Sequence, residues 1–222
     1  MRLETIDVSA HATAVPFDYA DANAARRGFD HGQSIVDVVS AIVGVLLTLL
    51  VAAPLMVLNP VFNPGPLFYR QARMGRGGRK FMMWKFRTML VPELDQIRRH
   101  DAPLEVERVT ILGRILRKTR IDELPNFINV WNGEMSLIGP RPDAFDHAMV
   151  YSRTVRGYAN RFSVRPGITG LAQVRGGYAD NMRAVERKAR FDRFYVKNTS
   201  PRMDAYIALQ TVRVMITGFG AK

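Results

Sequence analysis

The sequence predicts a mainly α-helical fold with a small β element, held to a membrane by one apolar helix near its start. Three observations carry that expectation. Residues 35–58 contain Asp37 as their only charge, and a helix of ~20 residues is enough to match a bilayer core. Beyond residue 109, apolar residues recur at three- and four-residue steps, the period of an amphipathic helix. Between these regions, residues 68–86 place two extended pieces around the glycine-rich turn Met74–Arg79.

Composition removes several classes. The 222 residues are 47% hydrophobic and 23% charged, which excludes a wholly disordered chain. Cysteine is absent, so disulfides, thiol nucleophiles and thiolate zinc sites are excluded together. Four scattered histidines do not make a histidine-rich metal site. The net charge is +12, which points to an anionic polymer or an anionic surface. Residues 1–33 hold five acids and three bases, a net of −2, so the remaining 189 residues carry +14. The basic character therefore belongs to the body after the apolar run.

Three segments are expected: a disordered cytosolic tail (1–33), a membrane helix (34–59) and the body that follows it (60–222). The tail opens with no basic and apolar leader of the secretory kind. Pro54 lacks an N–H and clashes with the preceding turn, so a kink or break is expected there. Asn59, Pro60, Asn63, Pro64, Gly65 and Pro66 are expected to end the helix. Basic residues flank it on both sides, Arg26 and Arg27 before and Arg70, Arg73 and Arg76 among those after. Such charges prefer the cytoplasmic side. They favour a re-entrant path, bent at Pro54, over a simple span, and hence a monotopic protein.

The body continues with the extended pieces Phe68–Tyr69 and Lys80–Phe86, then a charged helical stretch, Pro92–His100. Val109–Lys118 places Leu112, Ile115 and Leu116 on one face, with Arg114, Arg117 and Lys118 elsewhere. This is either a basic interfacial helix or an ordinary surface helix. A helix over Asp122–Asn132 is expected to start with Asp122 as N-cap and Pro125 in its first turn, with Leu124, Phe127, Ile128 and Trp131 facing the core. Residues 136–142 cannot be regular helix, whereas Asp146–Asn160 can. Pro166, Gly167, Gly170, Gly176 and Gly177 mark a loop with a short strand. Helices over Asn181–Tyr195 and Met203–Thr217 complete the chain, the last suited to core or membrane-surface contact.

Chemistry concentrates in three places. Asp122 and Glu123 are adjacent carboxylates preceded by Arg114, Arg117, Lys118 and Arg120. Cations and helix N–H groups are expected to keep both ionised, as a nucleophile or a divalent-metal ligand requires. A capping aspartate with a solvated neighbour is the plainer alternative. Arg141 stands between Pro140 and Pro142, which rigidify a guanidinium suited to phosphate, or simply build a turn. The runs Lys85–Thr88 and Arg165–Gly170 add cations beside constrained backbone. No Walker A loop, dinucleotide fingerprint, zinc-protease motif or serine-hydrolase elbow occurs. The sum points to a phosphate-handling site with carboxylates, arginines and Mg²⁺ at a membrane.

The runs GPLFYRQARMGRGGRKFMMWKFRTM (65–89), LGRILRKTRIDELPNFINVWNGEMSLIGPRP (112–142), RPGITGLAQVRG (165–176) and YVKNTSPRMDAYIALQTV (195–212), in this order after an apolar helix, carry a resemblance. The chain resembles the bacterial polyprenyl-phosphate sugar-1-phosphate transferases, initiating enzymes of exopolysaccharide assembly, in their minimal single-domain form. The resemblance implies transfer of a sugar 1-phosphate from a UDP-sugar to undecaprenyl phosphate, with release of UMP. Asp122 matches the nucleophile that forms a covalent phospho-sugar intermediate, and Glu123 the carboxylate associated with Mg²⁺. Arg117 and Arg141 match phosphate contacts. Lys85 and Arg87 match a run that holds either the fold or the anions. The family helix is re-entrant, with its break at the position of Pro54, and the catalytic part lies on the cytoplasmic face of the bacterial inner membrane.

Some positions depart from the pattern. Gln33–Ser34 replace a basic pair, Arg120–Ile121 replace Ser-Leu, Asn126 replaces Gln, and Ala53–Pro54 replace Ser-Pro. None removes a charged catalytic group. The implied partners are the UDP-sugar, undecaprenyl phosphate, an anionic bilayer and downstream glycosyltransferases, with no nucleic acid. Similarity leans toward galactose or glucose as the sugar, though no residue physically selects it, and pairing into a homodimer is left open. A nucleic-acid binder, a membrane scaffold and a membrane phosphohydrolase are the rival classes.

Overall fold

In a computed structural model of the chain, residues 34–90, 106–176 and 182–217 are described. The expected tail at 1–33 and the helix Pro92–His100 lie outside them. The architecture is mainly helical with two small two-stranded sheets.

Helix α1 (Ile35–Phe62) begins at Ser34, whose hydroxyl accepts from the Asp37 N–H at 3.1 Å. It runs through both Pro54 and Pro60, so helical backbone extends three residues past the expected end. Both prolines are exposed, so their rings clear the body while the buried stripe stays intact. That stripe is Asp37, Ala41, Gly44, Thr48, Ala52, Leu55 and Asn59, at steps of three and four along the whole helix. The other faces leave Ile35, Leu46, Leu50, Val57 and Val61 exposed.

Both ends of α1 are tied to the body. At the start, Asp37 is buried and its Oδ1 accepts from Ser136 Oγ and Leu137 N, each at 2.8 Å. At the far end, Asn59 Nδ2 donates to Gly65 O at 2.7 Å and Asn63 Nδ2 to Arg87 O at 2.8 Å. Arg87, itself buried, returns the contact to Asn63 O and also donates to Pro66 O at 2.6 Å and Met89 O at 3.0 Å. Buried carbonyls left unpaired by the proline-rich exit thus find donors.

Strands β1 (Phe68–Met74) and β2 (Lys80–Phe86) form a hairpin around the expected turn, with β1 running five residues past the expected Tyr69; Phe68 stands opposite Phe86 and Met74 opposite Lys80. Helix α2 (Ile111–Lys118) is capped by Thr110, whose hydroxyl accepts from Gly113 N at 3.0 Å. Leu116 packs with Ala52, Leu55 and Phe86. Ile115 instead faces outward with Ile111, on the side of Arg114 and Lys118.

The expected helix from Asp122 is replaced by two pieces. A 3₁₀ turn spans Ile121–Glu123, preceded by Arg120 at φ 60°. Helix α3 (Asn126–Trp131) follows, with Pro125 as its cap residue. Asp122 is therefore no N-cap of an α-helix. The inward face of α3 is Asn126, Asn129 and Val130, while Trp131 is exposed. Asn129 serves as an extra strand edge: Trp84 N donates to its Oδ1 at 3.0 Å and its Nδ2 donates to Met82 O at 2.8 Å. Phe127 packs on α1 with Ala41 and Val130.

Strand β3 (Ser136–Ile138) pairs in parallel with β4 (Gly167–Thr169). A Cβ at Gly167 or Gly170 would collide with the backbone of Gly139, so side-chain-free positions let the two loops touch. Helix α4 (Phe145–Thr154) stops short of the expected Asn160, and a 3₁₀ turn (Tyr158–Ser163) follows after Gly157, whose φ is 75°. Helix α5 (Leu171–Gly176) stands where a loop was expected, because the glycines flank it rather than fill it. Helices α6 (Met182–Lys197) and α7 (Pro201–Thr217) agree with expectation, α7 gaining two residues from a Ser200 cap and a first-turn proline.

Candidate active site

Three separate elements converge on Glu123. The 3₁₀ turn supplies Glu123, β2 supplies Lys85, and the loop after β3 supplies Arg141. Lys85 Nζ lies 3.4 Å from Glu123 Oε1, and Arg141 Nη2 donates to the same oxygen. Arg141 Nη1 donates to Ile168 O at 3.0 Å, which fixes the plane of the guanidinium. Burial pushes Glu123 upward, but Arg141 and then Lys85 more than reverse it and leave its pKa at about 2. Lys85 is lowered to about 8, chiefly because burial disfavours the ammonium, with Glu123 opposing the shift.

Asp122 behaves differently from its neighbour. It is buried, and its Oδ1 has no hydrogen-bond partner. Burial, and then the Glu123 charge, raise its pKa, while Lys85, Arg117 and Arg141 hold it down. The expectation that both carboxylates are stabilised as anions therefore holds for Glu123 and fails in direction for Asp122. Burial and the neighbouring Glu123 charge are the reason, and no donor reaches Asp122 Oδ1 to offset them. A buried carboxylate oxygen with an open lone pair, beside three cations, can attack an electrophilic phosphorus.

Arg117 lies on α2 with Nε donating to Thr88 Oγ1 at 2.9 Å, and it is exposed. Its charge reaches Asp122, so it belongs to the same neighbourhood. Arg87 does not: it donates to Asn63 O and Pro66 O just past the end of α1 and to Met89 O after β2. Those contacts give it the fold-holding half of the expectation. Pro54 lies on the exposed side of α1. Sequence reasoning missed Arg73, whose charge acts on both Lys85 and Glu123's partner Arg141. Its place two residues along β1 from Gln71, facing the Arg141 turn, emerges only in the folded chain.

The donor set suits Mg²⁺ in one sense. Among the described residues no group of three or more metal-ligating side chains occurs. Asp122 Oδ1 is an orphaned hard oxygen, and Glu123 is held ionised. Mg²⁺ is commonly bound by one or two carboxylates together with substrate phosphates and water, which these two residues fit. Elsewhere, an open groove of about 700 Å³ lies among α5, α6 and α7 beside Arg175, Arg190 and Arg202; neither carboxylate borders it.

Residues 30–218 match the family model described as bacterial sugar transferase. Over 194 residues the chain is 39% identical to UDP-N-acetylgalactosamine-undecaprenyl-phosphate N-acetylgalactosaminephosphotransferase of Aeromonas hydrophila, covering 84% of this chain and 44% of that one. It is 43% identical to UDP-glucose:undecaprenyl-phosphate glucose-1-phosphate transferase of Escherichia coli, over 68% of this chain and 32% of the relative. The protein of the same description from Caulobacter vibrioides is 41% identical, over 86% and 72%. The chain thus spans less than half the length of the first two relatives.

Proposed function

The chain belongs to the bacterial sugar transferase family, and from that premise we propose that it moves a sugar 1-phosphate from a UDP-sugar to undecaprenyl phosphate. The observation that carries the reading is the buried, unpartnered Asp122 Oδ1 beside Glu123, Lys85 and Arg141. Asp122 attacks the phosphorus that bears the sugar. The bond from that phosphorus to the bridging oxygen breaks, and UMP leaves with the electron pair. An oxygen of undecaprenyl phosphate then attacks the phospho-aspartate, forming the lipid diphosphate sugar and freeing the carboxylate. One site thus serves two bulky substrates in turn.

The other residues manage charge. Arg141 and Lys85 face the donor phosphates, and Arg117 faces the lipid phosphate. Their positive field offsets repulsion between the Asp122 carboxylate and the diphosphate. Glu123 would hold Mg²⁺ together with substrate phosphates and water, and the ion would supply charge neutralisation at the phosphates.

The same proposal places α1 in the membrane as a re-entrant or interfacial element. Asp37 and Asn63 tie its two ends to one body, which supports keeping both ends on one side. Its outer faces are apolar and exposed, as a lipid-facing helix requires. A body after residue 60 on the cytoplasmic face of a bacterial inner membrane follows, as does a role in starting exopolysaccharide chains.

The test is transfer of labelled sugar phosphate from a panel of UDP-sugars to undecaprenyl phosphate in detergent with Mg²⁺. Wild type is expected to give a lipid-linked product with at least one donor, and to be labelled covalently when the lipid is withheld. Asp122→Asn is expected to lose both signals. UMP release with free sugar phosphate and no lipid product would instead indicate a phosphohydrolase.

A further inference from the structure

We infer that an ionic group built from the buried Arg161 and Asp192 with the partly buried Asp143 and Lys188 is a positioning device for Arg141. The inference rests on the reading of Arg141 as a donor-phosphate contact. Its basis is that three successive residues of the Arg141 turn are each gripped from outside. Arg161 Nη2 donates to the Arg141 carbonyl. Arg73 Nη1 donates to Pro142 O at 3.1 Å. Asp143 accepts from Arg161 Nη1 and Tyr158 OH on Oδ2, both at 2.5 Å, and from Lys188 Nζ on Oδ1 at 2.5 Å. Asp143 O accepts from Met74 N at 3.3 Å. Behind this layer, Asp192 Oδ2 lies 3.2 Å from Arg161 Nη2.

The composition of the group says what it is for. Arg161 and Asp192 side chains are 2% exposed, and the nearby Tyr158 is buried as well. Paired charges at such depth carry a desolvation penalty that apolar residues of equal volume would avoid, so stability alone is a poor reason for them. Direction is a better one. A guanidinium with one fork on a carboxylate and the other on a carbonyl sets both the distance and the plane of what it holds. Here it holds the backbone of the residue whose own side chain reaches Glu123 and Ile168 O. The grips come from α6, β1 and the 3₁₀ turn Tyr158–Ser163, so three parts of the fold fix one arginine. Phosphate contacts displaced by about 1 Å can reduce turnover on the order of a hundredfold.

The test is a double-mutant cycle on the 222-residue chain in detergent, with Arg161→Lys and Arg141→Lys made singly and together. Lysine keeps a charge at 161 but cannot serve both Asp143 and the Arg141 carbonyl. Arg161→Lys is expected to lower kcat/KM for the UDP-sugar by about tenfold or more, and to add less than about threefold once Arg141 is already lysine. Hydrogen exchange of the backbone over residues 139–146 reads the turn without turnover, and Arg161→Lys is expected to accelerate it. Equal factors in the two backgrounds, or a turn that exchanges no faster, overturns the inference. Should Arg161→Lys fail to fold, Tyr158→Phe removes one donor to Asp143 with every charge kept, and the same cycle and exchange criteria apply to it. If wild type transfers nothing from any donor, the reading of the reaction falls, and the exchange result alone decides whether the group holds the turn.

Discussion

Replacing Gly44 with alanine is expected to destabilise the protein, although helix propensity taken alone predicts the reverse. Within a helix, glycine to alanine gains about 1 kcal/mol. Gly44, however, lies on the buried stripe of α1, and a Cβ there would fall well inside contact distance of Phe127 Cγ, the root of the ring. Phe127 cannot swing aside freely, because it is wedged with Ala41 and Val130. Overpacking of this kind costs typically 1–3 kcal/mol. The clash at its upper range outweighs the propensity gain by roughly 1–2 kcal/mol. For a chain of this length, that is a fall in melting temperature of about 2–8 °C. The assay is thermal unfolding in detergent micelles for Gly44→Ala, Phe127→Leu and the pair. The double variant is expected to recover part of the loss, since leucine vacates the ring's volume. A melting temperature for Gly44→Ala equal to or above wild type would refute the packing of α1 along the body. It would mean that the helix stands free, as in a simple span.

Two further outcomes follow from the site and from the end of α1. Lys85 sits at about 8, so any step that needs its ammonium is fully supported below that pH and lost above it. The kcat/KM of wild type is expected to fall about tenfold per pH unit beyond the midpoint, and Lys85→Arg, which stays charged, to abolish that alkaline limb; an unchanged limb in the variant removes Lys85 from the reaction. Arg87 ties two backbone carbonyls just past α1 to a third after β2, so Arg87→Gln is expected to cost folded protein, by about 3 kcal/mol or more, without a selective rise in KM for the donor. A normal melting temperature with a raised KM would return Arg87 to the phosphates.

Much of the plan was legible in the residues because it depended on local rules. The run 35–58, with Asp37 as its only charge, is long and apolar enough to form a membrane-length helix. The hairpin around Met74–Arg79 follows from extended pieces flanking glycine. The helices at 182–197 and 201–217 follow from period and composition, within two residues of the expected bounds. Asp122, Glu123 and Arg141 stood out because carboxylates and a proline-framed guanidinium are unusual neighbours. Other features depended on partners distant in sequence. The continuation of α1 past Pro60 depends on Asn63 and Arg87, which are 24 residues apart. The short turn at Asp122 replaced a regular helix because Pro125 and Asn126 restart the backbone on the face that Asn129 fixes to β2.

The residues alone were enough for the long apolar helix, the mainly helical body and the identities of the charged groups, since period, charge and length act within a few neighbouring residues. The tertiary structure alone decided which of those groups meet. Lys85, Glu123 and Arg141 come from elements 38 and 18 residues apart and share one carboxylate oxygen. Only that meeting, together with burial, drives the two adjacent carboxylates in opposite directions, because a pKa follows the dielectric and the charges around a group and not its place in the chain.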